Sequence, residues 1–88
     1  MYESFYSYLV SEGYSEFTPS GRKGTVYCYC YAIEKVLAKE KITWEALMTN
    51  ISQVIAKYDR GGIFEEFGNR SNRTVINALK AFDKFCKS

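Results

Sequence analysis

The chain has 88 residues, which is enough for one hydrophobic core of modest size and too few for a second domain. Its composition, 47% hydrophobic and 17% aromatic with a single proline, excludes an intrinsically disordered chain. Twelve Lys and Arg against ten Asp and Glu give a net charge of +2, so nucleic-acid binding would require a local basic patch. We expect residues 1–88 to fold as a single helical domain.

The first part of the chain predicts a helix followed by an irregular connection. Apolar side chains recur at helical spacing over Tyr2–Ser11, and Gly13 follows where a glycine commonly ends a helix. Residues 14–24 contain the only proline and two glycines, which predicts an extended segment that ends in a basic turn. We expect Phe17 to anchor this segment on the core.

The middle of the chain predicts two or three further helices. Apolar residues at helical spacing extend over residues 25–39, with Thr25 as the candidate N-cap. A second periodic region begins at another candidate cap, Thr43. Asn50 and Gln53 resemble a capping box inside that region, so the sequence leaves open one continuous helix or two short ones.

The last part of the chain predicts a turn and then a long helix. Glycines at 61 and 62 end the preceding helix, and a short turn over residues 63–67 follows. The last helix is expected over residues 72–86, with Ser71 as its N-cap. No alternating run of β-branched residues predicts a strand. The predicted fold class is therefore all-α, a small bundle of four to five short helices.

The last helix carries two separate stripes of side chains. The predicted core stripe consists of Val75, Ala78, Leu79, Phe82, Phe85 and Cys86. The second stripe contains no acid and consists of Arg73, Asn77, Lys80, Lys84 and Lys87. A solvated helix face explains this stripe, since lysines near a C-terminus complement the helix dipole. The alternative is a helix that faces phosphates, with Arg73 and Asn77 reaching base edges.

A second basic candidate is the turn that precedes residues 25–39. Arg22 and Lys23 stand just before Thr25, where the free backbone N–H groups of a helix N-terminus favour an anion. The segment lacks the glycine and lysine spacing of a Walker A motif, which argues against nucleotide hydrolysis. An exposed connector with ordinary basic residues is the alternative.

The residue types offer no evident catalytic or metal-binding constellation. The chain has no histidine, and its three cysteines are Cys28, Cys30 and Cys86. Cys28 and Cys30 on one helix would project their sulfurs in nearly opposite directions, so we expect buried or half-buried thiols without a metal or cofactor. Glu65 and Glu66 are adjacent rather than facing, and no nucleophile has a base beside it. We expect no catalytic activity and no small-molecule substrate.

The sequence also lacks the signals of membrane insertion and export. No run of 18 or more apolar residues occurs, and the first residues lack the basic region and the apolar run of a signal peptide. The expected location is the cytoplasm, where cysteines stay reduced, without membrane contact.

Several stretches, in order along the chain, resemble one known family. They are Phe5–Leu9, Gly13–Ser15, the tyrosine-rich helix after Gly24, Ile42–Leu47, Ser71 and Thr74–Phe85. Together they look like the SAM-like core-binding domain of phage integrases, the N-terminal domain of tyrosine recombinases. The resemblance implies a helical bundle that clamps one side of the DNA, while a separate C-terminal domain supplies the catalytic residues. It also implies that the second and last helices face DNA, at Thr25, Arg73, Asn77 and Lys80.

Two hypotheses of different classes follow. The first is a DNA-binding module without catalytic activity, either a stand-alone protein of a mobile element or part of a longer recombinase. Its expected contacts to duplex DNA are Arg22, Lys23, Thr25, Arg73, Asn77, Lys80 and Lys84. The second is a protein-interaction module that binds a partner or itself. A contiguous exposed apolar patch would favour the second, formed by Tyr27, Tyr31, Phe64 and Phe67.

Overall fold

Six helices make up the computed structural model, which describes residues 1–88. They are α1 (Tyr2–Ser11), α2 (Thr25–Glu40), α3 (Trp44–Thr49), α4 (Ile51–Tyr58), α5 (Glu65–Gly68) and α6 (Arg70–Lys87). The predicted all-α class is confirmed, and α5 is a single helical turn where the sequence predicted a turn. None of the six helices combines the length and the apolar character needed to cross a bilayer.

The core is formed chiefly by α2 and α6. Five of the 17 buried core residues lie on α2 and six lie on α6, and no polar or charged residue is buried. Ile76 and Ala81 are buried beside the predicted core stripe, so the apolar face of α6 is wider than expected. Phe5 of α1 and Trp44 of α3 join this core through Phe82, with ring centroids 5.2 and 5.7 Å from it. Edge-to-face aromatic pairs of this kind add about 0.5–1.5 kcal/mol beyond area burial.

Of the predicted caps on α2, α3 and α4, only Thr43 is confirmed. Thr43 caps α3, since its Oγ1 accepts a hydrogen bond from the Ala46 N–H at 3.2 Å. The central region is two helices that meet at Asn50, but no capping box forms there. The Asn50 amide instead donates back to the Ala46 carbonyl at 3.0 Å. Thr25 is the first residue of α2, and Gly24 holds the cap position with no side chain to contribute.

The connection between α1 and α2 lies on the surface, so the prediction for Phe17 is wrong. Its side chain is 64% exposed, and its backbone pairs with Lys23 in an isolated antiparallel bridge. Backbone hydrogen bonds hold the segment instead, and the Gly24 N–H donates to the Glu16 carbonyl at 2.8 Å. A Cβ at Gly24 would come within 2.7 Å of the Ser15 carbonyl oxygen, so only glycine allows this approach.

The start of the last helix differs from the prediction. Ser71, Asn72 and Arg73 have left-handed backbone angles, with φ values of 54, 58 and 66°. The right-handed part of α6 therefore begins at Thr74. Ser71 does not cap it through its side chain, and its carbonyl accepts a hydrogen bond from the Thr74 hydroxyl.

One carboxylate joins the end of α2 to α4. Glu40 accepts a hydrogen bond from the Tyr58 hydroxyl at 2.9 Å and pairs with the Lys57 Nζ at 3.0 Å. Its side chain is only 13% exposed. Burial acts to raise the pKa of Glu40, but the bonds from Lys57 and Tyr58 outweigh burial and hold the pKa below its ordinary value. The folded state therefore favours the ionised carboxylate.

Replacing this carboxylate by an amide tests its contribution to stability. Glu40→Gln should lower the free energy of unfolding at neutral pH by about 1–2 kcal/mol, because two donors lose a charged acceptor. A lowered folded-state pKa stabilises the protein above the unfolded pKa, and this stabilisation is lost as the pH falls through the folded value. Denaturant melts of wild type and Glu40→Gln should therefore converge in acid. A stability difference that stays constant with pH would contradict the ionised Glu40.

Candidate functional site

A continuous groove runs along the line where α2 lies against α6. It consists of three adjoining depressions, and each neighbouring pair shares two lining residues. Cys28 and Thr74 line both the first and the second depression, while Tyr29 and Asn77 line both the second and the third. We call this feature the α2/α6 groove. Its walls come from the same two helices that form most of the core.

The lining of the α2/α6 groove carries charge of one sign. Its charged residues are Lys23, Lys35, Arg70, Lys80 and Lys84. None of the ten Asp and Glu residues lines it. A cleft lined by one sign of charge between walls of low dielectric concentrates the field and raises the local concentration of the opposite charge. The groove is therefore an anion-attracting surface in a chain whose total charge is close to zero.

Hydroxyl and amide side chains lie between these cations. Thr25 from the first turn of α2 and Asn72 from the left-handed turn both line the central depression. Asn77 lies one turn further along α6 and is exposed. Hydroxyls and amides can donate to phosphate oxygens, and an amide can also pair with a base edge. The groove thus combines charge with hydrogen-bond donors.

Five of the seven residues expected to contact DNA line this groove. They are Lys23, Thr25, Asn77, Lys80 and Lys84. Lys84 is exposed and forms no ion pair, so its charge is fully available. The structure thus brings the basic turn and the last helix together on one surface.

The other two expected residues lie elsewhere. Arg22 belongs to the turn after Thr18, with its N–H donating to the Thr18 hydroxyl at 3.1 Å, and does not line the groove. Arg73 is half-buried and donates to the Asn69 side-chain oxygen at 2.9 Å and to Asp59 at 3.5 Å. The left-handed turn moves Arg73 out of the helical stripe in which the sequence placed it.

The stripe on α6 is not free of acids in the folded protein. Asp59, from the end of α4, lies 3.2 Å from the Lys80 Nζ and also contacts Arg73. A hydrogen bond from the Arg60 N–H and the nearby Lys80 together lower the pKa of Asp59. At its far end, Lys87 pairs with Asp83 at 3.0 Å. Neither Asp59 nor Asp83 lines the groove. The groove lining is therefore free of acids, although the stripe on α6 is not.

Sequence reasoning missed Lys35 and Arg70. Lys35 lies four residues after Tyr31 on α2, and that spacing alone places the two side chains on one helical face. Arg70 was outside the predicted last helix; it follows Phe67 by three residues and lies against that ring at the groove end. A search of the sequence for cations four residues from an aromatic residue would have found Lys35 but not Arg70.

The three cysteines occupy different environments. Cys28 is exposed in the groove, contrary to the expectation of buried or half-buried thiols, whereas Cys30 is buried and Cys86 is intermediate. Burial raises the pKa of the Cys30 thiol to about 11, which keeps it protonated and unreactive. No group of three or more Cys, Asp and Glu side chains is placed to hold a metal ion.

The left-handed turn beside the groove can be tested by glycine substitution. Ser71→Gly should raise the free energy of unfolding by about 0.5–1 kcal/mol, because a residue with a Cβ is strained at a positive φ and glycine is not. The same change at Lys84, in the right-handed part of α6, should lower it by a similar amount. Urea melts of both variants measure the difference, and destabilisation by Ser71→Gly would show that the turn is right-handed.

Comparison with protein-family models, with curated proteins and with solved structures finds no match to this chain.

Proposed function

We propose that this chain is a cytoplasmic DNA-binding module that holds duplex DNA along the α2/α6 groove and has no catalytic activity of its own. The observation that carries this proposal is the lining of the groove, which includes five cations and no carboxylate. Of the five, only Lys80 pairs with an acid, and that acid, Asp59, does not line the groove. Phosphate contacts supply most of the affinity of such surfaces and position the protein on the duplex. The resemblance to integrase core-binding domains supports the same two helices as the contact surface.

The arrangement of donors supports contact with both the backbone and the bases. Lys23 comes from the turn just before α2 and Thr25 is the first residue of α2, while Lys80 and Lys84 come from the far end of the groove on α6. We assign phosphate contacts to these four residues. Asn77 lies between them on the exposed side of α6, and its amide is the best-placed group for a base edge.

The protein-interaction alternative is less well supported. That alternative requires a contiguous exposed apolar patch formed by Tyr27, Tyr31, Phe64 and Phe67. Of these four residues only Tyr31 is exposed. A cation also lies over each ring: Lys23 over Tyr27, Lys35 over Tyr31, and Lys39 over both Phe64 and Phe67. Cations interleaved with aromatic rings suit a nucleic acid better than an apolar protein surface.

Charge removal inside the groove tests the proposal. The variant Lys23→Gln, Arg70→Gln, Lys84→Gln removes three groove cations, none of which forms an ion pair in the folded protein. Wild type should bind labelled duplex DNA with an affinity that falls as salt rises. The variant should bind more weakly, with a log-log salt slope smaller in magnitude by roughly 0.9 for each phosphate that the protein no longer neutralises.

A matched control separates the groove from total charge. The variant Lys41→Gln, Arg60→Gln, Lys87→Gln has the same net charge but changes only residues outside the groove. It should retain most of the wild-type affinity. Equal reductions in affinity for both variants, with melting curves showing both folded, would reject the groove as the binding surface. Absence of wild-type binding at low salt would reject DNA binding altogether.

Cys28 offers a direct test of where DNA lies. Its thiol is exposed in the groove at the junction of the first two depressions, so bound duplex should slow its alkylation. Cys86 lines none of the three depressions and serves as the internal control, whose rate should not change. Mass spectrometry after timed alkylation measures both sites in one sample. Protection of neither thiol under conditions of saturating DNA would place the DNA elsewhere.

A further inference from the structure

Two tyrosines of α2 lie in a row between two lysines. The row consists of Lys23, Tyr27, Tyr31 and Lys35; the last three lie one helical turn apart on α2, and Lys23 lies in the turn just before α2. The Tyr27 and Tyr31 rings are stacked, with centroids 6.0 Å apart and planes inclined by 23°. The Lys23 Nζ lies 4.0 Å from the centroid of Tyr27, and the Lys35 Nζ lies 4.5 Å from that of Tyr31. We call these four residues the tyrosine ladder.

The tyrosine ladder is joined to the α2/α6 groove at two points. Lys23 lines the central depression, and Lys35 lines the first depression together with Phe67 and Arg70. The Arg70 guanidinium lies 4.8 Å from the centroid of the Phe67 ring, so the same pairing of cation and ring recurs at the groove end. A strand that leaves the groove can therefore reach the tyrosines without crossing a carboxylate in the groove lining.

The core does not require this arrangement. Tyr31 is 48% exposed, and neither Tyr27 nor Tyr31 belongs to the 17 buried residues of the core. Neither Lys23 nor Lys35 forms an ion pair. Two tyrosines and two unpaired lysines in one row on the surface thus contribute little to folding, and their chemistry is available for a ligand.

We propose that the tyrosine ladder binds unpaired bases of a single-stranded segment adjoining the duplex in the α2/α6 groove. This inference rests on the proposed DNA-binding function and adds the structure of the preferred DNA: duplex flanked by a single strand. The flat tyrosine rings stack with bases, and the lysines at either end hold the phosphates between them. An acidic peptide would satisfy the lysines but would leave the ring faces without a planar partner.

A base stacked on a tyrosine ring stabilises the complex more than the lysine that it displaces from that ring. A lysine over an exposed aromatic ring changes an equilibrium constant by about two- to fivefold. A base stacked on an aromatic side chain contributes about 5- to 150-fold in affinity, largely independent of the identity of the base. A lysine displaced from its ring also keeps its attraction to DNA, because its flexible side chain can turn to the neighbouring phosphate. Stacking should therefore displace the lysines at a net gain, with little preference among bases.

The test compares three DNA ligands that differ only at one end. They are a blunt duplex, the same duplex with a short oligothymidine tail, and the same duplex with a tail of abasic sites. The abasic tail carries the same phosphates without bases, so it isolates stacking from charge. Wild type should bind the thymidine-tailed duplex roughly fivefold or more tightly than the abasic-tailed one, as expected for at least one stacked base.

Variants of the two tyrosines assign this gain to the ladder. Tyr27→Phe with Tyr31→Phe keeps both rings and should keep the gain, whereas Tyr27→Leu with Tyr31→Leu should abolish it and leave blunt-duplex affinity nearly unchanged. Tyr31→Leu alone, at the exposed ring, should reduce the gain even if the double leucine variant proves unstable in a melting curve.

The outcomes separate the two proposals. Binding of the blunt duplex with equal affinity for both tailed forms would overturn the tyrosine ladder as a base-binding site while leaving the groove intact. A gain that persists in Tyr31→Leu and in the double leucine variant would also overturn it. Failure of wild type to bind the blunt duplex at low salt would overturn the proposed function itself, and with it the inference.

Discussion

The packing of α2 against α6 is the contact on which the rest of this protein depends. These two helices supply most of the buried side chains, and no polar or charged residue is buried with them. Close-packed apolar surfaces tolerate little change in volume, so the two helices hold one relative position. The α2/α6 groove is the solvent-facing edge of that same contact. Lys35, Lys80 and Lys84 are therefore carried on packed helices, which lowers the entropy cost of ordering them around a ligand.

The distribution of charge matters more here than its total. A net charge of +2 predicts little about binding by itself. Three carboxylates outside the groove lining form contacts that join different parts of the fold. Glu40 ties α2 to α4, Asp59 pairs with α6 from outside, and Glu16 accepts a hydrogen bond from Tyr6 at 3.1 Å. The groove lining is left with cations alone. Segregation of this kind produces a local field that a count of charges over the whole chain conceals.

The aromatic residues divide into two groups with different partners. Phe5, Trp44 and Phe82 contact one another, chiefly edge to face, and stabilise the core. Tyr27 and Tyr31 stack on each other at the surface, with a cation over each. The first group explains how so short a chain builds a core. The second explains why the surface of α2 suits a ligand with both charge and planar rings, which are the two features of a nucleic acid strand.

Features that depend on residues close together in the chain could be predicted from the sequence. Helical periodicity and glycine positions predicted the all-α class, the bounds of α1 and the extent of α2 to within a residue. The cap at Thr43 and the basic turn before α2 were predicted equally well, because both depend on hydrogen bonds or charges within a few residues. Helical spacing likewise predicted that Asn77, Lys80 and Lys84 share one face of α6, and these are three of the five expected DNA contacts that line the groove.

Contacts between side chains from distant parts of the chain depend on how the helices pack, and the sequence did not predict them. Arg73 and Lys80 contact Asp59, which belongs to another element, so no pattern within α6 could reveal that pairing. The left-handed turn at Ser71, Asn72 and Arg73, which local backbone propensity disfavours, takes Arg73 out of the stripe that helical spacing predicted. Helical spacing predicts which residues share one face of a helix. The packing of the helices determines which other residues that face contacts.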